Sequence, residues 1–321
     1  MSTPANTAIK GEGFGVFCVL GAAVLWGTTG TAATFAPEVS PLAIGAAAMG
    51  LGGLLQTLMA LVQIRNDRSR LLDHWIYVLI GAVAVAIYPL AFYTSMHMAG
   101  VTVGTVITIG AAPLLSAVIE RVFDSKPLTQ RWMVGTCLGI IGAIMLCIAK
   151  SKGHTDSAVN ASAFESVVGV FLGLLAAATY ALYSWTAHRL MRHNIASSAA
   201  MGATFGIGGL LLMPVLLMTG STLLATWTNA AVGVYMVLVP MFLGYVLFGL
   251  GLARIPASMA TTLSLIEPVV AAVLAVIIVG ERLPVLGWLG VALIIACLYV
   301  LTSRTETVQK QSHPQNSFNK G

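Results

Sequence analysis

The stretch I-P-A-S-M-A-T-T-L-S-L-I-E-P-V-V-A-A-V-L-A-V-I-I-V-G-E-R-L, residues 255–283, decides how the rest of the chain is read. From Pro256 to Val279 it carries a single ionisable residue, Glu267, near its middle. A run of that length crosses a bilayer as a helix. A carboxylate at the midplane costs about 2.5–3.5 kcal/mol on insertion scales, so it normally faces a bundle interior or a wet cavity. Pro268, next in the chain, has no backbone donor. The carbonyl of Ser264, four residues back, is therefore expected to seek water, a side chain or a ligand. A charge and a loosened backbone at one depth suit a transport site. The competing reading is a protonated Glu267, hydrogen-bonded to a neighbouring helix.

Composition agrees with a membrane setting. The 321 residues are 58% hydrophobic and 8% charged, with mean hydropathy +0.91. Soluble domains carry about 25% charged residues. The net charge of +5 does not indicate a nucleic-acid partner, because the charges lie at span ends rather than in one patch. Cys18, Cys137, Cys147 and Cys297 all fall in apolar runs without paired ligand spacing and read as packing residues. The N-terminal residues have no signal-peptide pattern, and the first apolar run is long enough to remain as a span.

Ten apolar runs follow one another: 14–36, 41–64, 75–97, 101–120, 131–149, 167–188, 197–218, 230–253, 256–279 and 286–303. The polar segment 150–166 divides them into two groups of five. With the N-terminus inside, 13 of the 16 Lys and Arg fall on the inner side, and only Lys150, Lys152 and Arg282 lie outside. This bias places both termini in the cytoplasm.

Shifting the chain by 155 residues lays 101–148 on 256–303 without a gap. Pro113 then meets Pro268, Leu128 meets Leu283, Gly135 meets Gly290, and Ala117-Val118 meets Ala272-Val273. Five spans per half is odd, so the second half enters the membrane the other way up. The fold expected is all-α and integral to the membrane, with ten transmembrane helices as two inverted five-helix repeats. Its parts are a tail, 1–13; a first repeat, 14–149; an external linker, 150–166; a second repeat, 167–303; and a C-terminal tail, 304–321. Such transporters hold their site at mid-depth between the halves.

Thr105, Thr108, Ala112 and Ser116 share one helical face of the fourth span. The shift maps Ala112 onto Glu267, with Ser264 one turn before it, so both faces are expected to line one cavity. Close helix packing through small residues is the alternative. Aromatics gather at mid-depth: Trp26; Tyr88, Phe92 and Tyr93; Tyr180 and Tyr183; Tyr245 and Phe248. Aromatic walls with one carboxylate suit an amphipathic or cationic solute; core packing is the other reading. Pro89, Pro113, Pro240 and Pro268 are candidate bend points. Gly202-x-x-x-Gly206 and Gly135-x-x-x-Gly139 read as packing motifs. Glu120, Arg121, Arg254 and Arg282 lie at span ends and read as solvated, with Glu120 or Arg254 as gate candidates. No ATP-binding loop, dinucleotide fingerprint or hydrolase motif occurs. His97, His154, His188 and His193 scatter towards the surfaces, with no metal-ligand spacing. Neither a cofactor, a metal nor an enzymatic activity is expected.

L-G-A-A-V-L-W-G-T (20–28), P-L-L-S-A-V-I-E (113–120), P-L-T-Q-R-W-M-V-G (127–135) and I-E-P-V-V-A-A-V-L-A-V-I-I-V-G-E-R-L (266–283) resemble the drug/metabolite transporter superfamily, EamA type. The likeness runs from residue 14 to 303. It implies a central cavity lined chiefly by spans other than the fifth and tenth, and export of amino acids, metabolites, drugs or toxic cations, or in some members uptake of nutrients, with proton exchange as the usual driver. Asp124-Ser125-Lys126 stands where the second half has Val279-Gly280-Glu281, a departure from symmetric gating. The expectation is a multi-pass inner-membrane exporter of a small metabolite, in which Glu267 couples protons or reads a substrate amine. Multidrug or quaternary-ammonium export and lipid handling of the scramblase kind are the alternatives.

Overall fold

The computed structural model describes residues 4–99, 101–151, 163–280 and 282–303. Most of the linker and all of the tail 304–321 lie outside the described residues, as does Glu281. Among the described residues, ten helices are long and apolar enough to cross a membrane. We number them as spans: 1 (Gly11–Ala33), 2 (Pro41–Asn66), 3 (Trp75–Ala99), 4 (Val103–Asp124), 5 (Gln130–Ala149), 6 (Phe164–Arg192), 7 (Ser197–Leu224), 8 (Trp227–Leu252), 9 (Ala257–Ile278) and 10 (Val285–Thr302). An even count returns the chain to the face where it began. We call that the tail face, and the opposite one, where spans 5 and 6 are joined, the linker face.

Local chemistry sets the ends. Ser40 caps span 2, its Oγ accepting from Ala43 N at 3.2 Å, with Pro41 at the first helical position. Thr226 caps span 8 in the same way through Asn229 N. Gly280, at φ +79°, ends span 9 in the left-handed region that favours glycine.

Small residues decide which spans touch. Spans 2 and 7 cross where Gly53 meets the Phe205 carbonyl and Gly209 meets that of Gly50, leaving no room for a methyl. Spans 5 and 10 cross at Gly142 and Gly290, again backbone to backbone. Gly202 and Gly206 pack on Ala60 and Thr57, and Gly135 and Gly139 on Leu301 and Cys297. Span 3 packs on 6 as 8 packs on 1, and span 4 packs on 6 as 9 packs on 1. Exchanging the two sets of five spans maps this pairing scheme onto itself.

The prolines behave in two ways. Pro89 and Pro113 sit inside uninterrupted α-helices. Pro240 lies in a π-helical segment, Val237–Leu243, a widened turn of the kind that recurs at functional sites. Pro268 follows a single 3₁₀ turn, Ser264–Ile266, in which Glu267 N–H donates to the Ser264 carbonyl. The oxygen expected to be free is thus satisfied by the chain itself. Tightening from an i→i+4 to an i→i+3 bond lets residue 267 supply the donor that Pro268 lacks.

Candidate functional site

A cavity of about 470 Å³ opens among spans 1, 2, 3, 4, 5, 8 and 9. It reaches the linker face, where Ala36, Pro37 and Val39 of the connection between spans 1 and 2 form part of its wall. At its deep end stand Trp26, Glu267 and Pro268, with Phe92 and Tyr93 from span 3 and Thr105 from span 4. A Cβ on Gly27 would lie 2.9 Å from the Glu267 carbonyl oxygen and 2.6 Å from Val270 Cβ, so only glycine lets span 1 come this close to span 9.

The polar inventory of the cavity is short. No hydrogen bond or ion pair from the described residues reaches the Glu267 carboxylate. The hydroxyl of Thr29 is turned back to the Trp26 carbonyl at 2.7 Å, and that of Thr105 to Met96 Sδ at 3.4 Å. Trp26 Nε1 donates to the Pro240 carbonyl at 3.0 Å, which locks the indole across the floor. The rest of the wall is largely apolar, including Ile44, Ile109, Leu146 and Met236. Among the described lining residues there is no Lys, Arg or His. The arrangement offers one carboxyl group with spare hydrogen-bonding capacity in a largely apolar, aromatic setting.

The remaining candidates lie beneath the cavity. Trp26 packs on Tyr245 and Phe248, with ring centroids 4.9 and 5.2 Å away, and edge-on against Tyr180 at 6.4 Å. Tyr180 donates to Ser264 Oγ at 3.0 Å, and the Tyr183 and Tyr245 hydroxyls pair at 2.9 Å. Tyr88 joins this layer to the cavity wall, 5.7 Å from Tyr180 and stacked on Phe92 at 5.9 Å. Thr108, fully buried, donates to the Gly173 carbonyl. Of the expected cavity residues, Trp26, Tyr93, Thr105 and Glu267 face the open volume. Tyr88, Thr108, Tyr180, Tyr183, Tyr245, Phe248 and Ser264 do not; most of them form a packed floor between it and the tail face.

Other expectations are corrected. Glu120 is not a solvated end: it is 2% exposed, and its carboxylate accepts from Lys126 Nζ, Ala257 N–H and Ser258 Oγ. His188 is buried, with Nδ1 2.6 Å from the Leu252 carbonyl; His154 lies outside the described residues. Cys137 is exposed rather than packed, and Cys147 edges the cavity. Thr29 and Ala271 were missed although helical spacing from Trp26 and Glu267 pointed to them. Met96, Pro37 and Met236 carried no local signal.

Comparison with known proteins bears on the family and the fold. The model of the EamA-like transporter family matches twice, over residues 13–148 and 167–303. An uncharacterized transporter of Bacillus subtilis, YwfM, is 33% identical over 92% of this chain and 95% of its own length. A probable terminal-alkyne amino-acid exporter of Streptantibioticus cattleyicolor is 25% identical over 88% of this chain and 94% of its own. The threonine/homoserine exporter RhtA of Escherichia coli K12 is 27% identical over 70% of this chain and 73% of its own. A crystal structure 19% identical superimposes with a TM-score of 0.72 over 90% of this chain and 96% of the other, a likeness of fold. Ten spans and a twice-matched family model make this chain a membrane transporter rather than an enzyme, and it belongs to the EamA-like transporter family.

Proposed function

We propose that this transporter is a secondary active exporter of small amphipathic metabolites of the amino-acid class, working by alternating access in a bacterial inner membrane. The observation that carries the reading is the unpartnered Glu267 carboxylate on the wall of a mostly apolar cavity at mid-depth. A substrate ammonium supplies the missing partner, and the apolar wall takes the side chain. In the absence of substrate, a proton fills the same role, which makes Glu267 the coupling residue. The named relatives support the substrate class, one being a threonine/homoserine exporter and another a probable terminal-alkyne amino-acid exporter. In this reading 14–149 and 167–303 are inverted repeat units, and both tails and the Lys/Arg-rich face are cytoplasmic.

Export of organic cations is the second reading. It is favoured by the lack of a Lys, Arg or His among the described lining residues to receive a substrate carboxylate. Thermal-shift titration of the purified protein with amino acids, polyamines, nucleosides and quaternary amines separates the two, with Glu267→Gln in parallel. A ligand that stabilises the native protein and not the variant places the amine on Glu267. Stabilisation by quaternary amines alone selects the second reading. Undiminished transport by Glu267→Gln under an imposed proton gradient would remove the coupling role, and binding of none of these classes would turn the argument to lipid handling.

A further inference from the structure

Ser116, on span 4, is fully buried, and its Oγ has no hydrogen-bond partner. Buried hydroxyls in an apolar bundle nearly always find one, and a helical Ser or Thr usually turns back to the carbonyl four residues earlier. Ser184 and Thr261 do so, to Tyr180 and Ala257. Ser116 does not. The orphaned Gln56 amide is explained locally, since it borders a separate void of about 30 Å³, room for a water. The Thr204 and Thr222 hydroxyls are orphaned as well, and Ser116 is the one of the three on the helix that runs beside the cavity.

The internal shift gives the orphan a meaning. Moved by 155 residues, Pro113 falls on Pro268 and Ser116 on Ala271, while Ile109 falls on Ser264. Pro268, Ala271 and Ile109 all line the open cavity. Spans 1 and 6 align at a shift of 154, where L-G-A-A-V-L-W-G (20–27) lies over L-L-A-A-A-T-Y-A (174–181) and Trp26 over Tyr180. Ser116, Ser264 and Tyr180 are thus the tail-side counterparts of cavity-wall and cavity-floor positions, and in this conformation they are packed shut.

Two carboxylates further along span 4 bond to the neighbouring spans. Glu120 ties span 4 to the first residues of span 9 through Ala257 N–H at 3.0 Å and Ser258 Oγ, and is neutralised by Lys126 at 3.1 Å. Asp124 ties span 4 to span 6, accepting from Trp185 Nε1 at 2.7 Å and pairing with Arg189 and Arg192. On the linker face the same shift puts Ala275 and Val279 at these two positions, so the second half offers no carboxylates there. We infer that Ser116, Ser264 and Tyr180 are substrate-contacting residues of a tail-open state, hidden here by a latch made of Glu120 and Asp124.

The inference rests on the alternating-access reading and is tested without substrate. In the full chain, with Cys18, Cys137, Cys147 and Cys297 replaced by Ala, Ser116→Cys and Ala271→Cys are labelled separately in oriented proteoliposomes by a membrane-impermeant maleimide. With the latch intact, Ala271→Cys reacts from the linker face and Ser116→Cys is inert. Adding Glu120→Gln and Asp124→Asn raises labelling of Ser116→Cys from the tail face about tenfold or more, the shift expected from losing a charge-assisted hydrogen bond, and lowers that of Ala271→Cys. Should the double variant fail to fold, Trp185→Phe removes a single donor to Asp124 and produces a smaller rise of the same sign. Ser116→Cys inert in the folded latch variants, or labelled equally with the latch intact, overturns the inference. Two-sided labelling together with undiminished transport by Glu267→Gln would overturn the role of Glu267 alone.

Discussion

The linker-facing and tail-facing parts of the molecule use one scaffold and treat it oppositely. On the linker side, span 9 presents Glu267 to about 470 Å³ of open space, and no charged pair crosses the cavity among its described lining residues. On the tail side, span 4 carries Ala112 at the matching position, fully buried, and its carboxylates, Glu120 and Asp124, come a few turns later, where they bind spans 6 and 9 together. The pairing of spans is the same in both directions. What differs is where the acid sits along the helix: mid-span it meets a cavity, and at the span end it bonds to neighbouring spans. The lesson is that one scheme of span pairing can carry two unlike faces through the placement of a few charged side chains.

The largest expected effect comes from copying the linker-side chemistry onto the tail side. Ala112→Glu buries a charge among packed helices and should destabilise the protein by about 3–5 kcal/mol, read as a collapse of the melting temperature in detergent. Glu267→Gln, facing open volume, should stay within about 1 kcal/mol in the same assay. A wild-type melting curve for Ala112→Glu would mean that the tail side is not packed as described. Next in size, Glu267→Gln should weaken binding of an amine-bearing ligand roughly 10- to 100-fold, the share of a hydrogen bond to a charged group. Calorimetric titration decides it. Trp26→Phe removes the indole bond to the Pro240 carbonyl and should cost about 1 kcal/mol, measured by thermal unfolding and accompanied by weaker ligand binding.

The smallest effect concerns pH at the tail surface. His193 stacks on His74 with centroids 3.9 Å apart. Burial first, then the charges of His74, Arg189 and Arg192, hold its imidazole below the usual histidine range. A lowered folded value means that the protonated form is disfavoured by folding. The stabilisation is therefore present above the unfolded value of about 6.5 and lost as pH falls through the folded value. The melting temperature should drop slightly from about pH 7 to about pH 5, and His193→Gln should flatten that drop. An unchanged slope would show that the stacked pair does not feel the charges around it.

Much of the fold was legible. The apolar run length marked ten spans, and their edges fall within a few residues of the helices observed, because backbone satisfaction in lipid allows little else. Glu267 was legible for the same reason, since an acid at that depth has few places to go. The aromatics were only half legible. Trp26, Tyr180, Tyr183 and Tyr245 stand out by depth, yet depth does not tell a wall from a floor. Tyr93 ended on the wall and Tyr183 in the packed layer because spans 3 and 6 turn different faces to the centre. Glu120 read as a solvated end or a gate candidate and Asp124 only as a break in the repeat, because their partners, Ala257 and Ser258 on one side and Trp185, Arg189 and Arg192 on the other, are 61 to 138 positions away in sequence.

The amino-acid sequence by itself determined the number of spans and the depth of the one mid-membrane acid. Those follow from hydrophobic transfer and hydrogen-bond satisfaction, which act residue by residue along the chain. Only the tertiary structure decided which face is open, which hydroxyls are stranded and which carboxylates bridge neighbouring spans. These depend on how far apart the helices stand, and that distance is set by glycine contacts such as Gly27 on Val270 and Gly53 on Phe205, between spans far apart in the sequence.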